Sequence, residues 1–446
     1  MHKQRGQAPR PDFRELNMAV SPQPSDRYSF PLVAANELPN PIEPSRGRID
    51  SIDLLRGIVM VIMMLDHTRD FVHNAVYQFD PTDPTRTNVA LFFTRWITHF
   101  CAPVFVFLAG TSVYLQFARG KSKRELSKFL VTRGLWLIVL EVTLVKFAVF
   151  FNFDIRFAGF LQVIWVIGVS MIVLAALIHL PLKVTAAFGL LMIALHNLFD
   201  RFRVESWRDE QSPVPSVGAK LWMLLHQAFE AFPIAGFPSP IVLVIYPLVP
   251  WIGVMAAGYA FGALYQLDAQ RRQRLLLIVG GVATFLFIAL RAINDYGDPS
   301  EWSQQKNFVY TVLSFLNTSK YPASLLFLLM TLGPSIIALA FFESTSSRRP
   351  IARFFVTFGR VPLFFYLLQW FTAHIISILL HFAFGKPTGW LFQSPIDTFS
   401  NPPKGTGFNL AIVYLAWIIG VLITYPLCKW FAGVKQRRRD WWLSYL

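Results

Sequence analysis

A series of about ten long apolar segments constrains this chain more than any other feature. Most of them approach the roughly 20 residues that an α-helix needs to cross the hydrocarbon core of a bilayer. With 54% hydrophobic and 15% charged residues, the chain carries more apolar surface than a soluble domain hides. The sequence therefore predicts an all-α, polytopic membrane protein with about ten transmembrane helices. The segments are residues 50–76, 89–117, 134–151, 158–180, 182–200, 239–266, 275–292, 321–342, 354–383 and 407–432.

Basic residues mark one side of the predicted membrane domain. They concentrate in residues 118–133, 267–274 and 343–353 and at the C-terminus, which share one side if the chain crosses the membrane ten times. An excess of Lys and Arg in short loops identifies the cytoplasmic side, so both termini are predicted inside a cell inner (plasma) membrane. The net charge of +15 is spread over these loops and forms no aromatic-lined groove, which argues against a nucleic-acid partner.

Composition divides the chain into three parts. Residues 1–45 are rich in Pro, Arg, Asn and Ser and lack a long apolar run, which is typical of a disordered cytoplasmic tail. Residues 46–432 form the predicted transmembrane domain, for which membrane lipids are the expected surroundings. Residues 433–446 form a basic cytoplasmic tail. The sequence leaves the oligomeric state open, a homodimer included.

The first apolar segment carries ionisable residues at both ends of a short hydrophobic run. Residues 57–65 rise only about 14 Å as a helix, roughly half of the hydrocarbon thickness. Arg56 and His67 project from one helix face, about 16 Å apart along the axis. Asp66 and Asp70 flank His67, and a neighbouring carboxylate can fix the tautomer of an imidazole and raise its basicity. The predicted catalytic residues are therefore His67, Asp66 and Asp70.

Two further predicted helices place polar side chains at the same level of the membrane. In the predicted topology the second helix enters from the external side, and the ninth helix approaches that side with its C-terminal half. Ionisable groups inside a membrane are costly, which makes them candidate functional residues. The predicted substrate-binding residues are His73, Arg95, Trp96, His99, Gln369 and His374.

Structural roles are open for these residues as well. A single His in an apolar helix often serves as an interhelical hydrogen-bond partner, and Arg56 can reach the inner headgroups or pair with Asp53. The stretch Tyr246–Gly253 contains two prolines, which indicates a kinked or broken helix. The sequence has no phosphate loop and no glycine-rich dinucleotide motif. It also has no His-Glu-x-x-His motif, and we expect no metal.

Three motifs resemble a known family of transmembrane acyltransferases. They are RIDSIDLLRG at Arg48–Gly57, PVFVFLAGTS at Pro103–Ser112 and GRVPLFFY at Gly359–Tyr366. In this order they are similar to the relatives of heparan-alpha-glucosaminide N-acetyltransferase, over roughly residues 46–430. The Arg-x10-His spacing in the first segment is also similar to the motif of membrane acyltransferase family 3, which acetylates surface glycans.

The resemblance implies a donor, an acceptor and residue roles. Acetyl-CoA, or another acyl-CoA, would be the cytoplasmic co-substrate, with its phosphates or pantetheine arm on Arg56. A sugar hydroxyl or amine of a cell-envelope glycan would be the external acceptor, with His67 as acid or base. Lysosomal members carry the active histidine in the lumenal loop after the first helix, so His73 is a second candidate. Direct transfer and an acetyl-histidine intermediate both stay open. The alternative function is a membrane transporter, or a lipid- or glycan-binding protein with the same polar cleft.

Overall fold

The computed structural model of the protein covers most of the chain. The predicted tail at 1–45 and the first motif residue, Arg48, lie outside the described residues. Every structural statement below concerns the described residues, which are 49–76, 78–235, 239–345, 349–400, 403–438 and 440–446.

Helices dominate the described fold, as the apolar segments predict. A π-helical turn, Glu141–Val145, joins α4 to α5, and short 3-10 turns follow several other helices. The helices are α1 Asp50–Val72, α2 Val89–Thr98, α3 Cys101–Ala118, α4 Lys123–Leu140, α5 Lys146–Phe150, α6 Val163–Leu177, α7 Leu182–Leu195, α8 Val217–His226, α9 Leu248–Phe261, α10 Ala269–Ile293, α11 Phe308–Leu316, α12 Leu325–Phe342, α13 Pro350–Arg360, α14 Pro362–Ala383, α15 Pro395–Ser400 and α16 Leu410–Arg437. The strands are β1 Phe157–Leu161, β2 Glu230–Pro233 and β3 Ile241–Val244.

Seven helical stretches of the described chain are long and apolar enough to cross a membrane. Three predicted segments fall outside this set, because α1 and α4 carry several charged residues and α6 has only 15 residues. The protein is thus a mostly helical membrane protein. The number of ten spans and the side on which the termini lie stay predictions. The seven stretches are Val89–Ala118, Leu182–Phe199, Leu248–Gln266, Ala269–Ile293, Leu325–Phe342, Pro362–Ala383 and Leu410–Arg437.

A small sheet departs from the all-α prediction. β1 pairs in parallel with β3, and β2 pairs antiparallel with β3, so the strand order is β1-β3-β2. The segments predicted as helices at 158–180 and 239–266 begin in this sheet and become helical only at Val163 and Leu248. Short apolar runs fit a strand as well as a helix, so hydropathy did not separate the two. The stretch Tyr246–Gly253 is predicted to be a kinked or broken helix, but it runs from the connection after β3 into the first turns of α9.

The central helix of the fold is α1, which packs against α13, α14, α16, α12, α2 and α3. Two glycines permit its close crossing with α13. A Cβ added to Gly57 would lie 1.9 Å from the carbonyl oxygen of Phe355, and one added to Gly359 would lie 1.9 Å from that of Asp53. Only glycine allows backbones to approach so closely. The glycines of the first and third motifs therefore bring α1 and α13 together.

The predicted ninth helix consists of two helices. α13 ends at Arg360, and α14 begins at Pro362. Proline suits the first position of a helix because its φ is already helical and its missing N–H would have no partner there. Val361 between them has φ −131° and ψ 51°, which breaks the helical path. The break separates the crossing with α1 from the α14 segment that carries Gln369.

The last helix runs past the predicted domain boundary at 432. α16 continues to Arg437. Beyond it, Leu443 is buried, and the hydroxyl of Tyr445 hydrogen-bonds that of Thr132 at 2.7 Å. Part of the segment predicted as a basic tail at 433–446 therefore packs onto the membrane domain.

Candidate active site

A cavity of about 350 Å³ surrounds the C-terminal half of α1, and we call it the His67 cavity. Five of the predicted site residues lie together in its wall: Asp66, His67, Asp70, His73 and Arg95. The sequence did not predict several other lining residues, which are Arg69, Gln162, Tyr246, Lys320, Tyr321 and Trp370.

Asp66 is the charged centre of the His67 cavity. Its carboxylate oxygens accept hydrogen bonds from Nη1 of Arg95 at 2.7 and 2.6 Å, and Oδ1 lies 3.0 Å from Nη2 of Arg69. Nζ of Lys320 lies 3.9 Å from Oδ2. Three cations thus surround one buried carboxylate. Asp66 holds these cations in place, and among the described residues no hydrogen bond joins it to His67.

His67 is held chiefly by packing. Its ring lies against Trp370 of α14, with the ring centroids 3.6 Å apart. An oxygen of Asp70 lies 4.0 Å from its Nδ1, which is beyond direct hydrogen-bond distance. Nδ1 has no hydrogen-bond partner among the described residues. Catalytic hydrogen bonds often tighten only when substrate binds, so Asp70 stays the predicted orienting carboxylate.

The loop before α12 brings Lys320 into the His67 cavity. Asp298 anchors this loop, because its carboxylate accepts hydrogen bonds from the backbone N–H of Ser319 at 2.8 Å and from Oγ of Ser324 at 2.6 Å. Burial raises the pKa of Asp298, although these hydrogen bonds act in the opposite direction. A lysine just before an apolar run was visible in the sequence. Its contact with Asp66 depends on packing that spacing does not reveal.

His73 lies just beyond the last residue of α1, at the edge of the same cavity. Its Nδ1 accepts a hydrogen bond from the backbone N–H of Ala75 at 3.1 Å, and its backbone forms a β-bridge with Phe408. Both contacts fix its position relative to α1. The cavity therefore contains both candidate histidines, His67 and His73.

Four predicted substrate-binding residues do not line the His67 cavity. Nε1 of Trp96 donates to Sδ of Met330 at 3.3 Å, so this indole is committed to α12. His99 is 3% exposed and packs against Phe327, with ring centroids 5.4 Å apart. Both side chains lie between helices and do not reach the cavity wall.

The two predicted residues of α14 are likewise enclosed. Nδ1 of His374 lies 3.0 Å from the carbonyl oxygen of Ala148, and its ring stacks on Phe71. Nε2 of Gln369 donates to Sδ of Met63 at 3.2 Å. His374 therefore connects neighbouring helices. Gln369 contacts Met63, which lines the cavity, and does not line the cavity itself.

A second cavity, of about 500 Å³, surrounds the N-terminal half of α1, and we call it the Arg56 cavity. Nη2 of Arg56 donates to Oγ of Ser112 at 2.9 Å, and Nη1 lies 3.1 Å from Oδ1 of Asp53. Asp53 is the one acidic residue in the described lining. Among the apolar lining residues are Met63, Val163, Ile164, Ile167 and Met171. The lining cations are Arg56, Arg119, Lys121, Arg133, Arg360 and Lys435.

The two cavities share part of their walls. Met63 and Val163 line both of them. Met63 precedes His67 by four positions, so the two side chains lie about one turn apart on one face of α1. Gln369 contacts Met63, and its neighbour Trp370 packs on His67. α14 thus supports both the shared wall and the histidine beside it.

The comparison with known proteins identifies the family of the chain. A family model described as "Heparan-alpha-glucosaminide N-acetyltransferase, catalytic" matches residues 48–290, which is more than half of the chain. The chain belongs to this family. It is therefore a membrane acetyltransferase by family, as the motifs predicted. No curated protein matches the chain.

The matched region contains both ends of the α1 face. Arg56, His67 and Arg95 lie inside it, whereas Lys320 and Trp370 lie beyond its end at 290. The family match therefore covers the α1 part of the two cavities. The contributions of α14 and of the loop before α12 rest on the structure of this chain.

Proposed function

We propose that this protein transfers an acetyl group from cytoplasmic acetyl-CoA to a sugar hydroxyl or amine of an envelope glycan on the external side. The observation that carries the proposal is the pair of cavities that share a wall at Met63 and Val163. With this arrangement, CoA stays on one side and the glycan on the other. Only the acyl group passes between them.

The Arg56 cavity suits an acyl-CoA donor. CoA carries its phosphates at one end of a long, thin arm, and the cavity combines several cations with an apolar portion. Guanidinium groups bind phosphate by charge-assisted hydrogen bonds. Arg56 and Met63 lie about 10 Å apart along α1, which an extended pantetheine arm can cover. The thioester would then lie at the shared wall, with the phosphates near the basic residues.

The His67 cavity suits the acceptor half of the reaction. His67 removes the proton of the attacking hydroxyl or amine, whose oxygen or nitrogen forms a bond to the thioester carbonyl carbon. The carbon–sulfur bond breaks, and the departing CoA thiolate takes up the proton. Arg95 and Lys320 supply positive charge near the developing oxyanion, where preorganised cations lower the barrier.

Donor binding is tested with purified protein and radiolabelled acetyl-CoA. We expect Arg56→Ala to weaken binding and Arg271→Ala to leave it unchanged. Arg271 is an exposed arginine of α10 that does not line the Arg56 cavity, so it controls for the loss of one charge. Equal binding by both variants would contradict the donor site.

Transfer is tested in membranes of cells that contain the protein and its natural acceptor. Labelled acetyl-CoA should label the glycan fraction with wild-type protein and leave it unlabelled with His67→Ala. Acid-quenched protein that carries label on a histidine would indicate an acetyl-enzyme step. Glycan movement across the membrane without dependence on CoA would instead favour the transporter alternative.

A further inference from the structure

A cluster of ligand-type side chains lies away from both cavities. His196 begins the 3-10 turn after α7, Asp200 follows that turn, and His226 is the last residue of α8. One ligand atom of each lies within 4.8 Å of the other two. None of the three lines the Arg56 cavity or the His67 cavity. The proposed transfer reaction therefore leaves this cluster unexplained.

The carboxylate of Asp200 is already oriented by its neighbours. Its Oδ1 lies 2.9 Å from Nε2 of His226, and its Oδ2 accepts a hydrogen bond from Nδ2 of Asn197 at 2.8 Å. Oδ1 of Asn197 in turn accepts the backbone N–H of Leu325 at 2.9 Å. A hydrogen bond like that from Asn197, which is not one of the three ligand-type residues, fixes carboxylate ligands in metal sites. The hydrogen bonds of Asn197 also connect the cluster to the start of α12.

His196 is not explained by these hydrogen bonds. It is 1% exposed, and neither of its ring nitrogens has a hydrogen-bond partner among the described residues. Its ring centroid lies 5.6 Å from that of His226, whose Nδ1 also has no partner. Burying polar atoms without partners is costly. A cation shared by the three side chains would satisfy a nitrogen of His196.

We propose that His196, Asp200 and His226 bind a zinc ion. Imidazole nitrogens favour zinc over magnesium or calcium, which prefer oxygen ligands. Zinc bonds of about 2.0–2.2 Å place tetrahedral ligand atoms about 3.4 Å apart. Side-chain rotations that move the ligand atoms of His196, Asp200 and His226 by about 1 Å bring them from within 4.8 Å of one another to this zinc-binding distance. Three protein ligands leave the fourth position to a water molecule.

The proposed ion would connect two helix ends across an irregular segment. Residues 201–216 between the ligands contain neither helix nor strand. A metal ion that ties α7 to α8 would restrict this segment in the folded state. Ligands that bind only the folded state raise its stability by mass action. Because the three residues line neither cavity, the proposed zinc site does not depend on the proposed acyl transfer.

Metal content tests this proposal directly. The full-length protein, purified in detergent, is incubated with zinc chloride and dialysed against metal-free buffer. We expect about one zinc ion per chain to remain bound in the wild type, and loss of that ion in His196→Gln and His226→Gln. His179→Gln is the matched control, because His179 is exposed and hydrogen-bonds Ser127.

Cobalt substitution and thermal unfolding keep the proposal falsifiable if a variant folds poorly. The wild type should show the visible absorption of tetrahedral cobalt, and its Tm should rise with zinc but not with magnesium. Asp200→Asn, which keeps the size of the side chain, should reduce both effects. Wild-type protein that retains no zinc, or glutamine variants that retain as much as the wild type, would overturn the site.

Discussion

The two ends of α1 face cavities with different balances of charge. Around Arg56, six cationic side chains and one acidic side chain, that of Asp53, belong to the described lining. Around His67, the carboxylates of Asp66 and Asp70 face Arg69, Arg95 and Lys320 at close range. The described lining of the first cavity therefore contains more cationic than acidic side chains, although Arg56 lies 3.1 Å from Asp53 and Arg360 lies 3.7 Å from Asp50. In the second, most of the charge is neutralised within the protein.

This difference distinguishes a site that attracts a ligand from a site that orients one. Excess positive charge raises the local concentration of a polyanion and provides donors for its phosphates. A neutralised network instead holds its own side chains in fixed positions, which is what a catalytic histidine needs. The following predictions are arranged from the largest expected effect to the smallest.

Replacing His67 should abolish acetyl transfer and leave the binding of acetyl-CoA unchanged. We expect His67→Ala to reduce acetyl transfer by about 10²- to 10⁴-fold, the range for loss of a general base, with acetyl-CoA binding unchanged. His179→Ala should keep full activity. His73→Ala identifies the acting histidine: if it removes activity and His67→Ala does not, the assignment moves to His73.

Removing the central carboxylate should destabilise the His67 cavity. Asp66→Ala leaves three cations near one another without their partner, and breaking a buried ion pair in this way typically costs about 3–5 kcal/mol. Asp70→Ala should cost less than about 1 kcal/mol, because half-exposed pairs contribute little. Unfolding of both variants in detergent measures the difference. An equal loss of unfolding free energy in Asp66→Ala and Asp70→Ala would argue against Asp66 as the centre of the network.

Removing one cation from the Arg56 cavity should weaken the binding of acetyl-CoA and leave the maximal transfer rate nearly unchanged. Arg56→Ala should raise the Kd for acetyl-CoA by about 10- to 100-fold, the equivalent of a charge-assisted hydrogen bond. The maximal transfer rate at saturating donor should change little, and added salt should weaken wild-type binding. A variant with normal binding and a lower maximal rate would place Arg56 in the chemistry instead.

Shortening the shared wall should change the choice of acyl donor. Met63→Ala enlarges the space where the thioester is proposed to lie, so the ratio of butyryl to acetyl transfer should rise by about 10-fold. Met60→Ala is the control, because Met60 is fully buried in α1 and lines neither cavity. An equal change of the ratio in both variants would mean that the wall does not select the acyl group.

The sequence revealed the two ends of α1 because both lie on one helix. Spacing alone places Arg56 and His67 on the same face, and the structure indeed lines two adjoining cavities with them. His99 and His374 show the limit of this method. Spacing gives the direction of a side chain around its own helix, but the neighbouring helix decides whether it meets a cavity or a packed interface.

Other parts of the fold depended on contacts distant in sequence. Lys320 reaches Asp66 from a loop that Asp298 anchors, and no local pattern encodes that contact. The β1–β3 pairing joins residues more than 80 positions apart, so two apolar strands were assigned to helices. The proposed zinc ligands likewise come from two places distant in sequence, the 3-10 turn after α7 and the last residue of α8, so the sequence contains no short metal motif that joins them.

The sidedness of acetyl transfer tests the central claim most directly. Inverted membrane vesicles expose the cytoplasmic face and enclose the natural acceptors, and labelled acetyl-CoA is added outside. The two-cavity arrangement predicts label on enclosed glycan in wild-type and His179→Ala vesicles, released only after lysis, and none in His67→Ala vesicles. Label that appears on the outer face alone would contradict the two-cavity arrangement, and transfer by His67→Ala at the wild-type rate would contradict His67 as the base.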